Sequence, residues 1–110
     1  MEVLKVSGKS VPKSVAGAIA QVLRRETAVV MQAVGPDAVN QAVKSIAIAR
    51  SYLEGDFLDV VALPSFEKIE IEGSLRTAIK FDLERRVRGG GDGASLVSSP
   101  PLEQVLSGDG

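Results

Sequence analysis

Two stretches of the chain repeat apolar residues at intervals of three and four, and each stretch follows a proline. The first begins at Pro12 and ends at the charged residues 24–26, and the second begins at Pro36 and runs to Leu53, shortly before Gly55. This spacing places apolar side chains along one side of a helix, and proline suits a first helical turn because no N–H is needed there. We therefore predict two amphipathic helices. Their apolar stripes are Val15, Ile19, Val22 and Leu23 in the first and Val39, Ala42, Val43, Ile46, Ala49 and Leu53 in the second.

Strand patterns occupy the rest of the first 87 residues. Residues 2–7 alternate in polarity, and residues 27–34 are a nearly continuous apolar run, typical of a central, buried strand. Residues 57–63 have the same buried pattern, and Pro64 predicts a bulge, a kink or a sheet edge after them. Residues 68–72 and 77–84 alternate on either side of a turn at Gly73 and Ser74, which predicts an antiparallel hairpin.

The order of these elements is strand, helix, strand, helix, strand and a hairpin return. Right-handed crossovers can place both helices on one face of the sheet, so we predict an α/β (α+β) two-layer sandwich. The length of 110 residues suggests one domain, which we place at residues 1–87. Residues 88–110 are rich in Gly, Ser and Pro and are predicted to be a flexible tail, with a weak docking segment at 102–106.

Composition argues against an enzyme. The chain has no cysteine and no histidine, which removes thiolate nucleophiles, the usual general base and the commonest metal ligands. We therefore expect no catalytic residue, no metal site and no cofactor. No apolar run approaches the ~20 residues of a membrane span, so we expect no membrane association and a cytoplasmic location.

Charge leaves room for a local basic patch. All 13 basic residues lie in residues 1–88 with 11 acidic ones, giving +2, whereas residues 89–110 carry −3. A domain at +2 is not a strongly basic nucleic-acid binder. Lys9 and Lys13 nevertheless flank the predicted start of the first helix, where free N–H groups and the helix dipole favour phosphate. The alternative is that both are ordinary solvated lysines.

A second polar group lies on the longer helix. Asn40, Gln41 and Lys44 are three or four residues apart and share a helix face. They have the chemistry to read a base edge or a phosphate. They are equally suited to a dimer interface, because the small neighbours Ala38 and Ala42 permit close approach. We place Asn40, Gln41 and Ala42 at such an interface.

Residues 1–86 resemble the stage V sporulation protein S family. The segments that carry the resemblance are MEVLKVSGKSVPKSVAGAIA, QAVGPDAVNQAVKSIAIAR and RTAIKFDLE. The family is linked to bacterial spore development, and its fold is similar to Alba, the archaeal chromatin and RNA-binding protein. The resemblance implies a β-α-β-α-β-β order with both helices on one face of a mixed sheet.

A local likeness to Alba suggests how such a chain would act. Gly8 and Lys9 look like the Alba loop whose lysines meet the nucleic-acid backbone, and Ala42 and Arg50 stand in matching places on the second helix. This implies a regulator that binds DNA or RNA as a homodimer or tetramer. The implied contacts are Lys9, Lys13, Lys44, Arg50 and Arg76. The alternative is a protein-interaction or assembly module that does not bind nucleic acid.

Overall fold

The computed structural model describes residues 2–88, and two helices and four strands lie in that range. The elements are β1 (Val3–Val6), α1 (Pro12–Arg25), β2 (Ala28–Ala33), α2 (Pro36–Tyr52), a short 3-10 helix (Glu54–Asp56), β3 (Leu58–Ile71) and β4 (Ser74–Val87). Both helices begin at the predicted prolines. Before α2, Gly35 has a φ of 91°, a conformation that glycine adopts without the strain a side chain would bring.

The four strands form one mixed sheet in the order β1-β2-β4-β3. β1 and β2 are parallel, and β4 is antiparallel to both β2 and β3. The register aligns Met31 with Leu4 on one side and with Phe81 on the other. Because paired residues share a face of the sheet, this row marks the face toward the core.

Both helices cover that same face, which confirms the predicted two-layer sandwich. Buried side chains of α1, α2 and all four strands form a single core, so the helices lie on one side of the sheet. Its largest fully buried side chains are Ile19, Leu23, Met31, Leu53, Leu83 and Val29. The opposite face of the sheet has no covering layer among residues 2–88.

The buried side of α2 contains the predicted stripe except for Val43, and it also includes Ala38 and Ser45. α2 buries Ala38, Ala42, Ser45 and Ala49, whereas Val43 is 51% exposed. The fully buried side chains within α2 are small, which lets the helix approach its neighbours closely, and the larger Val39 and Ile46 pack at the margin of the core. The buried Ser45 hydroxyl donates to the Gln41 carbonyl (2.7 Å), which satisfies it within the helix.

The third strand also differs from the prediction. Residues 58–71 form one continuous strand at the edge of the sheet, paired with β4 alone, and are not a buried strand followed by a separate one. Val61 and Leu63 are accordingly exposed. Pro64 lies within the strand, as an edge permits, because an N–H on the outer side of an edge strand has no ladder partner to lose.

The hairpin turn is one residue earlier than predicted. Ile71 pairs with Ser74, so Glu72 and Gly73 are the two turn residues, with φ values of 51° and 82°. Two consecutive positive φ values define the type I′ turn that suits the twist of a hairpin. The glycine fits this turn, whereas Glu72 adopts a conformation that a side chain disfavours.

Arg88 is the last described residue, and it is attached to the folded domain. Its backbone N–H donates to the Phe57 carbonyl (2.9 Å), and its side chain reaches the carbonyls of Leu58 and Arg50. The rest of the predicted tail, including residues 102–106, lies outside the described residues.

Candidate nucleic-acid interface

The turn between β1 and α1, residues 7–10, is held by two serines, and we call it the lysine turn. The N–H of Ser7 donates to Oγ of Ser10 (2.9 Å), and the N–H of Ser10 donates to the Ser7 carbonyl (3.0 Å). The N–H of Lys9 donates to Oγ of Ser7 (3.2 Å). These bonds hold the backbone of Lys9 in place, and Lys9 itself is exposed to solvent.

The lysine turn rests on the first turns of α2. Nε2 of Gln41 donates to the Gly8 carbonyl (3.3 Å). A Cβ at Gly8 would lie only 2.9 Å from Cβ of Asp37, so glycine is required there by the close approach of the two segments. Lys9 and the start of α2 are therefore neighbours on the outside of the molecule.

A groove runs between the start of α1 and the middle of α2, and we call it the helix groove. It has a volume of about 440 Å³ and is lined by Val11, Pro12, Lys13, Lys44, Ala47 and Ile48. Its floor is apolar, and its two lysines come from different helices. The fold thus brings together Lys13 and Lys44, which are 31 positions apart in the sequence.

Within residues 2–88, these lysines differ from most of the arginines because they form no ion pair. Among residues 2–88, Lys9, Lys13 and Lys44 form no salt bridge, and Asp37 is the acidic residue that lies against the lysine turn. The basic residues that do pair with a carboxylate are Arg24, Arg25, Arg50, Lys80, Arg86 and Arg88. The three lysines therefore give this side of the helix layer a positive charge that no ion pair neutralises.

Arg50 lies near the other end of α2 and makes a different set of contacts. Its Nε and Nη2 donate to the two carboxylate oxygens of Asp59 at 2.8 and 3.0 Å, which joins α2 to β3. Nη2 of Arg88 lies 3.6 Å from Asp59 and donates to the Arg50 carbonyl (2.8 Å). The structure thus separates Arg50 from the three lysines and commits its guanidinium to an ion pair.

The Arg50 contact changes the acidity of its partner. The hydrogen bonds from Arg50 hold the pKa of Asp59 below its usual range, against the opposite effect of burial. The N–H of Val60, which donates to the same carboxylate (2.8 Å), acts in the same direction as Arg50. The bond to Asp59 also raises the pKa of Arg50. This cluster fixes α2 against the edge strand.

Arg76 lies on the β3–β4 hairpin, away from the helix groove. It is exposed on β4, opposite Ile69 in the register, and forms no salt bridge within residues 2–88. The distal hairpin also exposes Phe66 (81%) and Leu75 (75%). The hairpin is therefore an arm that combines a free cation with large exposed apolar side chains.

The three residues predicted for a dimer interface do not share a surface. Asn40 is exposed, Gln41 turns toward the Gly8 carbonyl, and Ala42 is fully buried in the core. Consecutive helical residues point about 100° apart, so this outcome follows from the rotation of α2 on the sheet. With no exposed surface, Ala42 has nothing to offer a second chain. The exposed side of α2 instead carries Asn40, Val43 and Ala47.

The residues that sequence reasoning missed are apolar. Val11 precedes the first predicted helix and Ile48 lies outside the predicted stripe, yet both line the helix groove. The available signal was the position of Ile48 four residues after Lys44, which places the two side by side on a helix.

Within residues 2–88 no three His, Cys, Asp or Glu residues are grouped in a way that could hold a metal ion. Neither helix in that range is long and apolar enough to cross a bilayer.

This arrangement of two helices on one face of a mixed four-stranded sheet is the Alba-like fold. The chain is similar to Alba from Thermoplasma volcanium, with a TM-score of 0.54 and 20% sequence identity over 76% of this chain and 100% of that one. At this identity the likeness establishes the fold.

The family follows from the sequence. The model of the family Stage V sporulation protein S (SpoVS) matches residues 2–86, which is nearly the whole described domain. The chain belongs to the stage V sporulation protein S family, and this membership implies a role related to sporulation.

Proposed function

We propose that this chain is a non-enzymatic, nucleic-acid-binding regulator of bacterial sporulation or development that acts in the cytoplasm as a small homo-oligomer. The observation that carries the proposal is the convergence of Lys9, Lys13 and Lys44 on one outer surface, where none of them forms a salt bridge with residues 2–88. Phosphate groups of DNA or RNA are the ligand that such a surface fits.

The start of α1 adds to this surface. The cap residue Val11 supplies no side-chain hydrogen bond to the first turn of the helix. A helix start carries partial positive charge, which favours an anion in the same place as Lys9 and Lys13. The serine hydrogen bonds already hold the lysine turn, so phosphate contact requires no rearrangement of its backbone.

Arg76 extends the proposed surface, and Arg50 does not. Arg76 is exposed on the hairpin arm and is a further cation for a ligand long enough to reach it. The Arg50 guanidinium already donates two hydrogen bonds to Asp59, so we assign it to holding the fold.

The proposed oligomer uses the exposed side of α2. Val43 is 51% exposed although it is aliphatic, and Asn40 lies on the same side. A second copy that packs here would cover Val43 and double the number of lysines presented to one nucleic acid.

A titration of labelled DNA and RNA oligomers at two salt concentrations tests nucleic-acid binding. We expect the parent chain to bind at low salt and Lys9→Ala, Lys13→Ala and Lys44→Ala each to weaken binding roughly threefold to tenfold, equivalent to ~0.7–1.4 kcal/mol. Lys80→Ala is the matched control, because Lys80 pairs with Asp82 and lies on the sheet.

One observation favours a second candidate function, a protein-interaction module. Phe66 and Leu75, which share one face of the β3–β4 hairpin, are exposed by 81% and 75%. Exposed apolar side chains of this size are typical of protein contact surfaces. If the parent chain binds neither DNA nor RNA at low salt, the first proposal is wrong and this second function is the better explanation.

A further inference from the structure

The helix groove has the shape and charge of a site for a short acidic apolar segment. Val11, at its edge, is 58% exposed, and no element of residues 2–88 covers it. Lys13 and Lys44 stand beside an apolar floor. An occupant therefore needs two or three aliphatic side chains and at least one carboxylate.

This chain contains such a segment outside the described residues. Residues 102–106 read Leu-Glu-Gln-Val-Leu, so three aliphatic residues surround Glu103. Residues 89–110 contain Asp92, Glu103 and Asp109 and neither lysine nor arginine, for a net charge of −3. Their charge is opposite to that of the helix groove.

The described part of the chain ends at Arg88, whose side chain reaches the last turns of α2. Arg88 donates to the Arg50 carbonyl at 2.8 Å, so the chain leaves the domain beside the last turns of α2. Ala47 and Lys44 precede Arg50 on the same helix by about 4.5 and 9 Å along its axis. Thirteen residues lie between Arg88 and Leu102. A Gly-rich chain of that length spans roughly 20 Å on average and at most about 50 Å, which is enough.

We infer that residues 102–106 bind in the helix groove of their own chain, with the aliphatic side chains on Val11 and Ile48 and Glu103 beside Lys13 and Lys44. The bound segment covers two of the three lysines of the proposed nucleic-acid surface. It therefore competes with nucleic acid, a consequence that rests on the proposed function.

The expected strength of this contact follows from tethering. A short linker gives an effective concentration on the order of 1 mM, so a segment with an intrinsic Kd near ~1 mM occupies the groove about half of the time. Release of the segment then raises nucleic-acid affinity about twofold, and a tighter contact raises it more. Such an effect is large enough to measure and small enough for a nucleic acid to overcome.

Paramagnetic relaxation in the full chain tests the contact without nucleic acid. The chain has no cysteine, so Ser107→Cys provides a single attachment point for a nitroxide next to the segment. We expect broadening of the amide signals of Lys13, Lys44 and Ala47, with little effect at Val3 on the far side of the sheet. Broadening that is absent, or equal at all exposed amides, contradicts the inference.

Two variants and one mixture make this result specific. Broadening should be lost when Leu102, Val105 and Leu106 are all changed to Ser. It should also be lost in Val11→Asp. Val11 is exposed, so this variant should fold, and the same spectrum would detect misfolding. In the Val43→Asp background, where the proposed α2 interface is disrupted, a mixture of isotope-labelled chains without nitroxide and unlabelled chains with nitroxide should show no broadening at the groove. Broadening in that mixture means that the segment binds a second copy, which overturns the inference.

A nucleic-acid titration separates this inference from the proposed function. The triple Ser variant should bind DNA or RNA about twofold or more tightly than the parent chain. Groove contacts without any nucleic-acid binding support the docking and contradict the proposed function. Nucleic-acid binding without groove contacts supports the proposed function and contradicts the docking of residues 102–106.

Discussion

The side-chain amide of Gln41 donates to the backbone carbonyl of Gly8 at 3.3 Å, and this bond joins the lysine turn to α2. Gly8 follows β1 and Gln41 lies in α2, so the two residues are 33 positions apart in the sequence. Their contact is what places Lys9 on the same side of the molecule as Lys44. The proposed function depends on this placement, so the tightness of the contact is the first property to test.

Gly8→Ala should destabilise the domain. The new methyl group would meet Cβ of Asp37 at 2.9 Å, and neither the turn nor α2 can move without disturbing the core. We expect the free energy of unfolding to fall by about 1–3 kcal/mol, measured by chemical denaturation.

Gly17→Ala is the matched control for this substitution. Gly17 lies inside α1, and a Cβ there would meet nothing within 4 Å. Alanine is the better helix former, so this variant should gain about 0.5–1 kcal/mol. A Gly8→Ala variant as stable as the parent chain would show that the turn does not press on α2.

Asp59→Asn should reduce stability in a pH-dependent manner. The hydrogen bonds from Arg50 lower the pKa of Asp59 in the folded chain, so the ion pair stabilises the fold above the unfolded pKa of ~3.9. This contribution disappears as the pH falls through the lower, folded pKa. We expect a loss of about 1 kcal/mol at pH 6 that shrinks below pH ~4, measured by urea denaturation across this range.

Asp82→Asn provides the comparison for that experiment. Asp82 pairs with Lys80 at 3.8 Å and has a 41% exposed side chain, so its removal should cost only a few tenths of a kcal/mol. Equal effects of the two substitutions at pH 6 would mean that the Arg50 pair does not stabilise the edge of the sheet.

Glu72→Asn should stabilise the hairpin. Glu72 has a φ of 51° in a type I′ turn, and asparagine followed by glycine is the preferred pair for that turn. We expect a gain of about 0.5–1 kcal/mol, seen as a rise of roughly 2–6 °C in Tm. Gly73→Ala should have the opposite effect, because Gly73 has a φ of 82°. A lower Tm for Glu72→Asn would contradict this description of the turn.

Val43→Asp should weaken self-association. Val43 is 51% exposed on the outer side of α2, and burial of a carboxylate between two chains is unfavourable. We expect at least a tenfold rise in the dimer dissociation constant by analytical ultracentrifugation. Val3→Asp is a close control, since Val3 is 52% exposed on β1. Unchanged association in Val43→Asp would place the interface elsewhere.

Local chemistry explains which elements were predictable. Pro12 and Pro36 suit a first helical turn whatever the surroundings, so both helix starts are where the sequence predicts them. The exact edge of the buried side of α2 depends on what packs against it, so the predicted stripe is correct except at Val43, which is exposed. The course of residues 58–71 depends on their place in the sheet, because an edge strand continues through Pro64 where a central one would not.

The candidate site was predictable only in part. Lys9 and Lys13 were marked by their positions on either side of a predicted helix start, which is a local signal. The meeting of Lys13 with Lys44 requires the packing of two helices, and residue spacing alone does not contain it. The position of Arg50 on the predicted helix was correct. Its ion pair with Asp59 forms because β3 returns beside α2, and residue spacing does not show that return.

The salt dependence of nucleic-acid affinity tests the central claim most directly. For a duplex, each lysine that neutralises a phosphate adds about 0.9 to the slope of log K against log salt. The triple variant Lys9→Gln, Lys13→Gln and Lys44→Gln should therefore have a slope shallower by about 2.7 per bound chain than the parent, whereas Lys80→Gln should match the parent. Equal slopes for the parent chain and the triple variant would contradict the claim that these three lysines contact the phosphate backbone.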